Sequence, residues 1–510
     1  TDTKSSLKIK SLVSFILTPA VSIAIILSGN PDPENPVVGY TLAVALLMAV
    51  WWITEIVPLA VTSLLPVALF PLLGIMDGKD VSATYFNHVI FLFIGGFIIA
   101  LAMQRWNLHR RIALRILLLT GVSPGRILLG FMTATAFLSM WISNTATTMM
   151  MIPILLSIIS KLEEMVGRKN VSHYTTGLLL GVAYSASIGG IATLVGTPPN
   201  LSFSRIFQIY FPDAPEISFA SWFLFALPVS VTVFAVAYTY LYFVFRPERS
   251  LWKDVGKDTF RVQIREMGKV TWEEKVVLIN FILVALLWLF RSNIMIGNFT
   301  LPGWSGLLPE SDYINDGTVA IIISISLFVI PSRNKPGSRL MTWKTAEKLP
   351  WNIVLLFGGG FALASGFKES GLSGWFGEQL IWVADYNSIV VIFTLAILMT
   401  FLTLLTSNTA TTEMILPILA GIAISTETNP LLFMIPATLS GSMAFMLPVA
   451  TPPNAIIFGT NRLRVAQMAR NGIILNFIGA IIITLMTYWI GSMVFNIQPG
   501  VFPEWAAVSK

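Results

Sequence analysis

Cysteine is absent from this 510-residue sequence, which excludes disulfides and thiol chemistry. Charge is scarce as well: Asp, Glu, Lys and Arg make up 11% of the chain, against about 25% in soluble domains. Only three histidines occur, and His88, His109 and His173 are too scattered to form a metal-ligand pattern. With no Ser-His-Asp series, metal cluster or phosphate-binding glycine loop, the sequence does not read as an enzyme and implies no cofactor. No small-residue cleavage site follows Lys4, Lys8 and Lys10, so no cleavable signal peptide is expected. A transmembrane β-barrel is excluded, because the apolar residues run on instead of alternating.

What the chain has in quantity is hydrophobic sequence, 55% of it. Many runs reach the ~20 residues that a helix needs to span a bilayer. The fold class expected is an all-α polytopic membrane protein. Spans are predicted at 11–28, 37–53, 56–73, 88–104, 174–208, 221–245, 275–290, 317–331, 350–366, 431–460 and 470–494, eleven transmembrane helices. The net charge of +6 raises a nucleic-acid partner, and its distribution rejects one. With the amino terminus in the cytoplasm, every Lys and Arg except Lys79, Arg205, Arg291, Lys368 and Lys510 falls on the cytoplasmic side. That asymmetry is the positive-inside rule. It predicts a multi-pass protein of the plasma (inner) membrane, with its carboxyl terminus outside.

One hexapeptide is written twice. Ser143-Asn144-Thr145-Ala146-Thr147-Thr148 returns as Ser407-Asn408-Thr409-Ala410-Thr411-Thr412, 264 positions later. The first copy lies in residues 127–160, which carry no charge. One helix of that length measures about 51 Å, well over the ~30 Å bilayer core, and two full crossings need about 40 residues plus a turn. A re-entrant helical hairpin turning at Ser143-Asn144-Thr145 is the economical solution. The second copy, in 386–426 with Glu413 as the only charge, is assigned a matching hairpin. Non-helical backbone at membrane depth is tolerated only where it is buried in protein or lines a cavity, which makes both turns site candidates.

The duplication extends further. Phe93-Ile94-Gly95-Gly96-Phe97 is echoed by Phe357-Gly358-Gly359-Gly360-Phe361, and Thr197-Pro198-Pro199-Asn200 by Thr451-Pro452-Pro453-Asn454. The basic loops run the two Gly-rich helices in opposite directions, so the repeats are inverted, an arrangement typical of secondary transporters with a midplane site. The predicted organisation is an N-terminal segment with the first span (1–36), a first repeat (37–250), a basic cytoplasmic linker (251–274), a second repeat (275–495) and a tail (496–510).

Consecutive prolines break a helix, since each removes a backbone donor and clashes with the preceding turn. Thr197-Pro198-Pro199-Asn200 and its partner therefore divide their spans into half-helices. Freed carbonyls can ligate a cation, and half-helix N-termini can face an anion. Gly196 and Ala450, just before the breaks, leave their carbonyls accessible. Asn carbonyl, Ser and Thr hydroxyl and backbone oxygens suit Na⁺, while amide and hydroxyl donors suit a carboxylate. No Lys or Arg is evident inside the membrane to neutralise an anion, so a dianion is costly there unless cations travel with it. Glu413 stands where the first repeat has Met149 and is assigned a polar contact on a hairpin limb. The Gly-rich stretches are assigned to close helix packing. Arg105–Arg115 reads as an interfacial amphipathic helix.

With these four motifs the chain resembles the divalent anion/sodium symporter family, the INDY-like carriers of dicarboxylates, citrate and sulfate. The resemblance covers residues 10–495. It implies a homodimer whose protomers each have a scaffold and a transport domain that moves as an elevator. The transport domain would comprise both hairpins, both broken helices and spans 221–245 and 470–494. The resemblance places one Na⁺ site on Ser139, Ser143, Asn144 and Gly196 and a second on Thr403, Ser407, Asn408 and Ala450. It places carboxylate binding on Asn144, Thr145, Asn408 and Thr409, with Thr197, Pro198, Thr451 and Pro452 nearby. Symport of Na⁺ with succinate, malate or fumarate is the function expected. Sodium-coupled sulfate or citrate carriage, dicarboxylate exchange and an anion channel stand as alternatives.

Overall fold

The computed structural model describes residues 15–27, 31–121, 123–247, 258–296 and 299–507. Lys4, Lys8, Lys10, the linker stretch 251–257 and Lys510 lie outside them. The described chain is nearly all helix. An antiparallel ribbon of β1 (Ile294–Ile296) and β2 (Phe299–Leu301) is an addition that the sequence reading did not foresee.

The first half opens with α1 (Phe15–Leu27) and α2 (Pro36–Thr54), followed by α3 (Leu59–Thr62), α4 (Leu65–Leu72) and α5 (Gly78–Ala83). The single span expected over 56–73 is thus two short helices. Pro58 precedes α3, and Pro66 sits at the second position of α4, where its missing N–H costs nothing. Next come α6 (His88–Arg105), capped by the Asn87 side chain on the Val89 and Ile90 amides, and α7 (Leu108–Thr120). The first hairpin is α8 (Pro124–Ser139) and α9 (Asn144–Val166), the broken helix is α10 (Arg168–Gly190) and α11 (Pro198–Tyr210), and α12 (Phe219–Phe245) closes the half.

The linker contains α13 (Asp258–Glu266). A Thr271/Glu274 capping box then starts α14 (Trp272–Leu289), and α15 (Asp316–Val329), α16 (Trp343–Ala346), α17 (Trp351–Ser370) and α18 (Leu372–Gln379) follow. The second hairpin is α19 (Ser388–Thr403) and α20 (Asn408–Ser425). After it come the broken helix α21 (Leu431–Gly441) and α22 (Pro452–Phe458) and the 30-residue α23 (Val465–Val494).

Packing repeats with the sequence. Both hairpin limbs pack on the helix after them, α8 and α9 on α10 and α19 and α20 on α21. The half-helices cross over instead: α11 packs on α20, and α22 packs on α9. Each repeat therefore completes the other's site. Among the glycines, Gly95 brings α6 so close to α15 that an added Cβ would lie 2.5 Å from that of Ala320, in keeping with the packing role assigned to it.

Among the described residues, five helical stretches are long and apolar enough to cross a membrane: Pro36–Thr54, Gly78–Arg105, Asn144–Met165, Phe219–Phe245 and Val465–Val494. Shorter apolar helices include α1 and α15, which lie over the expected spans 11–28 and 317–331. The limb α9 runs past the expected end at 160, because Lys161, Glu163 and Glu164 continue the helix beyond the uncharged run. An apolar boundary marks where solvent-facing charge begins, and a helix need not stop there. Arg111 departs from the interfacial reading: it is buried, and its Nε donates to Glu274 Oε1 at 2.7 Å.

Candidate substrate and cation site

The two hairpin turns and the two helix breaks face one cavity of ≈ 770 Å³. Its wall holds Ser143, Asn144, Thr145, Gly196, Thr197 and Pro198 from the first repeat. From the second it holds Ser407, Asn408, Thr409, Ala450, Thr451 and Pro452. Twelve of the fourteen site residues expected from sequence thus meet at one place. The other two, Ser139 and Thr403, are fully buried just behind the turns and do not line the cavity.

Each turn is built by the helix that follows it. Asn144 and Asn408 are the first residues of α9 and α20, so their side chains and the free N–H groups of the first turn share one end. Thr147 and Thr411 donate backbone N–H to the carbonyls of Ser143 and Ser407 at 3.0 and 2.9 Å. The Thr148 and Thr412 hydroxyls donate to the Asn144 and Asn408 carbonyls, both at 2.8 Å.

The breaks match residue by residue. In the first, Asn200 Nδ2 donates to the carbonyls of Gly190 at 3.4 Å and Thr193 at 2.8 Å. In the second, Asn454 Nδ2 donates to Ala444 at 2.9 Å and Leu447 at 3.0 Å, the positions equivalent under the offset of 254 that separates the two Thr-Pro-Pro-Asn motifs. The last residue of each Thr-Pro-Pro-Asn motif therefore holds the loop before the break in a fixed curl. Sequence reasoning quoted these asparagines without giving them a task; their identical place after both Pro pairs was the available signal. The prolines begin the second half-helix, and the non-helical backbone lies ahead of them at 191–197 and 442–451. Pro at the first helical position loses no bond, so the break falls before it.

Gly190 and Gly196 permit the close approach in the first half. A Cβ on Gly190 would lie 2.6 Å from Asn144 Oδ1, and one on Gly196 would lie 2.4 Å from the Gly190 carbonyl oxygen. Asn144, Gly190 and Gly196 are therefore neighbours. The two halves differ at the buried hydroxyls. Ser139 Oγ donates to Asn144 Oδ1, whereas Thr403 Oγ1 donates within its own helix to Met399 and Thr400. Asn408 Oδ1 is left buried without a hydrogen-bond partner.

Around these polar groups the wall includes Phe97, Ile353, Leu356 and Val449, with Thr54, Glu55, Asn352 and Thr406 as further polar residues that sequence reasoning missed. The wall has no Lys, Arg or His, and its one charged residue is Glu55. Neutral donors and oxygen ligands from two repeats thus share a cavity without a fixed positive charge.

A helical membrane protein with an internal repeat, whose paired turns and helix breaks line one cavity, has the build of a membrane transporter. Residues 9–497 match the family described as the sodium:sulfate symporter transmembrane region, and the chain belongs to that family. It is 42% identical to the sodium-dependent dicarboxylate transporter SdcS of Staphylococcus saprophyticus over 499 residues, covering 97% of this chain and 94% of that one. It is likewise 42% identical to SdcS of Staphylococcus aureus, over 96% of this chain and 92% of the relative. Two solved structures share the fold. MtrF of Neisseria gonorrhoeae has a TM-score of 0.54 at 14% identity, with 83% of this chain and 85% of that chain covered. The YdaH transporter of Alcanivorax borkumensis has a TM-score of 0.53 at 12% identity, with 88% and 98% covered.

Proposed function

We propose that this protein is a secondary carrier that couples Na⁺ entry to uptake of C4 dicarboxylates such as succinate, malate and fumarate. The observation that carries the reading is the cavity wall: two Asn-Thr turns, two helix breaks and no cationic side chain. A dicarboxylate dianion entering such a wall finds donors for both carboxylates and nothing to balance its charge. Sodium ions bound at the two turns supply that balance, so coupling follows from the chemistry of binding. Ser139, Ser143 and Asn144 with the Gly196 loop form one cation site, and Asn408 with Ser407, Thr403 and the Ala450 loop forms the other. The name borne by the 42% identical relatives favours dicarboxylate over sulfate.

The test is uptake of labelled succinate into proteoliposomes. The expected result is saturable uptake and counterflow that require Na⁺ and stop when choline replaces it. Uptake unaffected by choline sinks the coupling. Sulfate displacing the label where excess unlabelled succinate does not sinks the dicarboxylate reading. Monocarboxylates are expected to compete poorly, because one turn is then left with unpaired polar groups at a cost of about 1–3 kcal/mol.

The same reading makes the hairpins re-entrant within a membrane of eleven crossings, with the amino terminus inside and the carboxyl terminus outside in a homodimer. The sequence has no cysteine, so single cysteines report without background. Cysteines beside Asp213 and Glu310 are expected to react with an impermeant thiol reagent from outside, and one beside Lys335 only after permeabilisation; the reverse pattern inverts the orientation. Transport by elevator motion would slide α8–α12 and α19–α23 against the remaining helices. In the present arrangement a Cβ on Gly377 of α18 would lie against Ser425 of α20. A disulfide between Gly377→Cys and Ser425→Cys is expected to stop uptake until it is reduced. Undiminished uptake through the cross-linked protein defeats the elevator.

A further inference from the structure

Glu413 is fully buried on α20, and none of the ion pairs formed by the described residues includes it. Its Oε1 accepts a 2.8 Å hydrogen bond from Ser202 Oγ of α11, and its Oε2 has no partner. Burying a carboxyl so sparsely compensated is costly, and the first repeat has no such group at the symmetric position, where Met149 is exposed. Ser202 is likewise matched by an apolar residue, Ile456, two positions after the motif asparagine. The polar pair therefore joins α11 to α20 and has no counterpart in residue type between α22 and α9.

Its location is defined by three helices that reach the cavity together. Thr409, Pro198 and Leu356 all line the wall. Four residues further along their helices stand Glu413, Ser202 and Gly360, one turn behind the wall on the same faces. A Cβ on Gly360 would fall 2.3 Å from the Glu413 carboxyl, so α17 presses its bare backbone against that group. Glu413 is thus enclosed where α20 of the second repeat, α11 of the first and α17 meet behind the cavity.

We infer that Glu413 is a positioning residue for substrate: its bond to Ser202 fixes the Thr409 turn relative to the Thr197-Pro198 half-helix, and so sets the gap that a dicarboxylate must bridge. The inference rests on the function proposed above. Thr409 and Pro198 belong to different repeats, and the Ser202–Glu413 bond joins their helices. Without it the two walls keep their separate chemistry and lose their spacing, which weakens anion binding more than turnover.

The experiment is initial-rate uptake by Ser202→Ala, Glu413→Met and Glu413→Gln, using labelled succinate or sulfate, whichever the wild type carries. Glu413→Met and Ser202→Ala are expected to raise the substrate KM roughly tenfold with Vmax nearly unchanged. Glu413→Gln keeps an acceptor oxygen and is expected to stay within about threefold of wild type. The double variant Ser202→Ala/Glu413→Met is expected to be no worse than either single one, as for two halves of one bond. Wild-type KM in both Ser202→Ala and Glu413→Met overturns the inference. So does failure of Glu413→Gln beside a normal Ser202→Ala, which assigns the task to the acid itself. If Glu413→Met does not fold, Ser202→Ala and Glu413→Gln decide the matter alone. A wild type that carries neither anion defeats the function reading, and this inference falls with it.

Discussion

Asn408→Ala is expected to abolish sodium-driven uptake and to leave the sodium-free protein no less stable. The reason is the state of Asn408 Oδ1, which is buried and unpartnered. An acceptor left in that condition costs about 1–3 kcal/mol, so removing it relieves the resting protein. The same atom is the proposed ligand for Na⁺, and the amide beside it is the proposed carboxylate donor. Two charge-assisted contacts of about 1.5–3 kcal/mol each amount to a loss of at least 100-fold in uptake at limiting substrate. Asn144→Ala is expected to lose uptake as fully but to weaken the fold as well, because Asn144 Oδ1 already accepts from Ser139 Oγ. Ser139→Ala leaves the amide in place and mainly raises the Na⁺ concentration for half-maximal uptake. The measurements are succinate uptake against Na⁺ and thermal unfolding in Na⁺-free detergent. Wild-type uptake by Asn408→Ala would falsify the site; lost uptake with a collapsed fold would assign Asn408 a structural part only.

Much of this arrangement was legible because it is written twice. The doubled hexapeptide and the doubled Thr-Pro-Pro-Asn located the turns and breaks, and twelve residues taken from them share the cavity wall. The offset of 254 that aligns the breaks in sequence also aligns the Asn200 and Asn454 hydrogen bonds. Duplication conveys position without any knowledge of the packing. Residues contributed singly were not visible in this way. Thr54 and Glu55 at the end of α2 and Asn352 at the start of α17 reach the cavity through tertiary packing that no local pattern records. Asymmetry was the second blind spot. Ser139 and Thr403 are equivalent in sequence, yet only Ser139 bonds its asparagine, because Thr403 finds acceptors in its own helix. Amphipathic pattern likewise misplaced Arg111, whose guanidinium also donates to the carbonyls of Gly268 and Met267. For the split of the 56–73 span the signal was present in Pro58, Pro66 and Pro71, which punctuate that run.

Arg291→Leu is expected to cost the protein about 3–5 kcal/mol of stability, the largest structural effect of any single change considered. Arg291 follows α14, and its side chain is 5% exposed. Its Nε donates to Asp316 Oδ1 at 2.6 Å, and its other nitrogens reach the Ile314 carbonyl at 2.9 Å and both Glu216 oxygens at 2.8 and 2.9 Å. Asp316 Oδ2 meanwhile accepts the Phe219 backbone N–H at 2.7 Å, and its carbonyl accepts from Trp288 Nε1. One guanidinium thus fastens the start of α15 and the loop before α12 to the end of α14. Removing it strands the Asp316 carboxylate, itself 4% exposed, with a single remaining donor. The penalty is mostly that uncompensated charge, so Arg291→Leu combined with Asp316→Asn is expected to recover a substantial part of the loss. Arg291→Lys keeps the charge and loses the planar fork, and is expected to fall between the two. Unfolding of the purified variants in detergent measures all three. A double variant as unstable as Arg291→Leu alone would place the loss in packing around α14 and remove the argument from stranded charge.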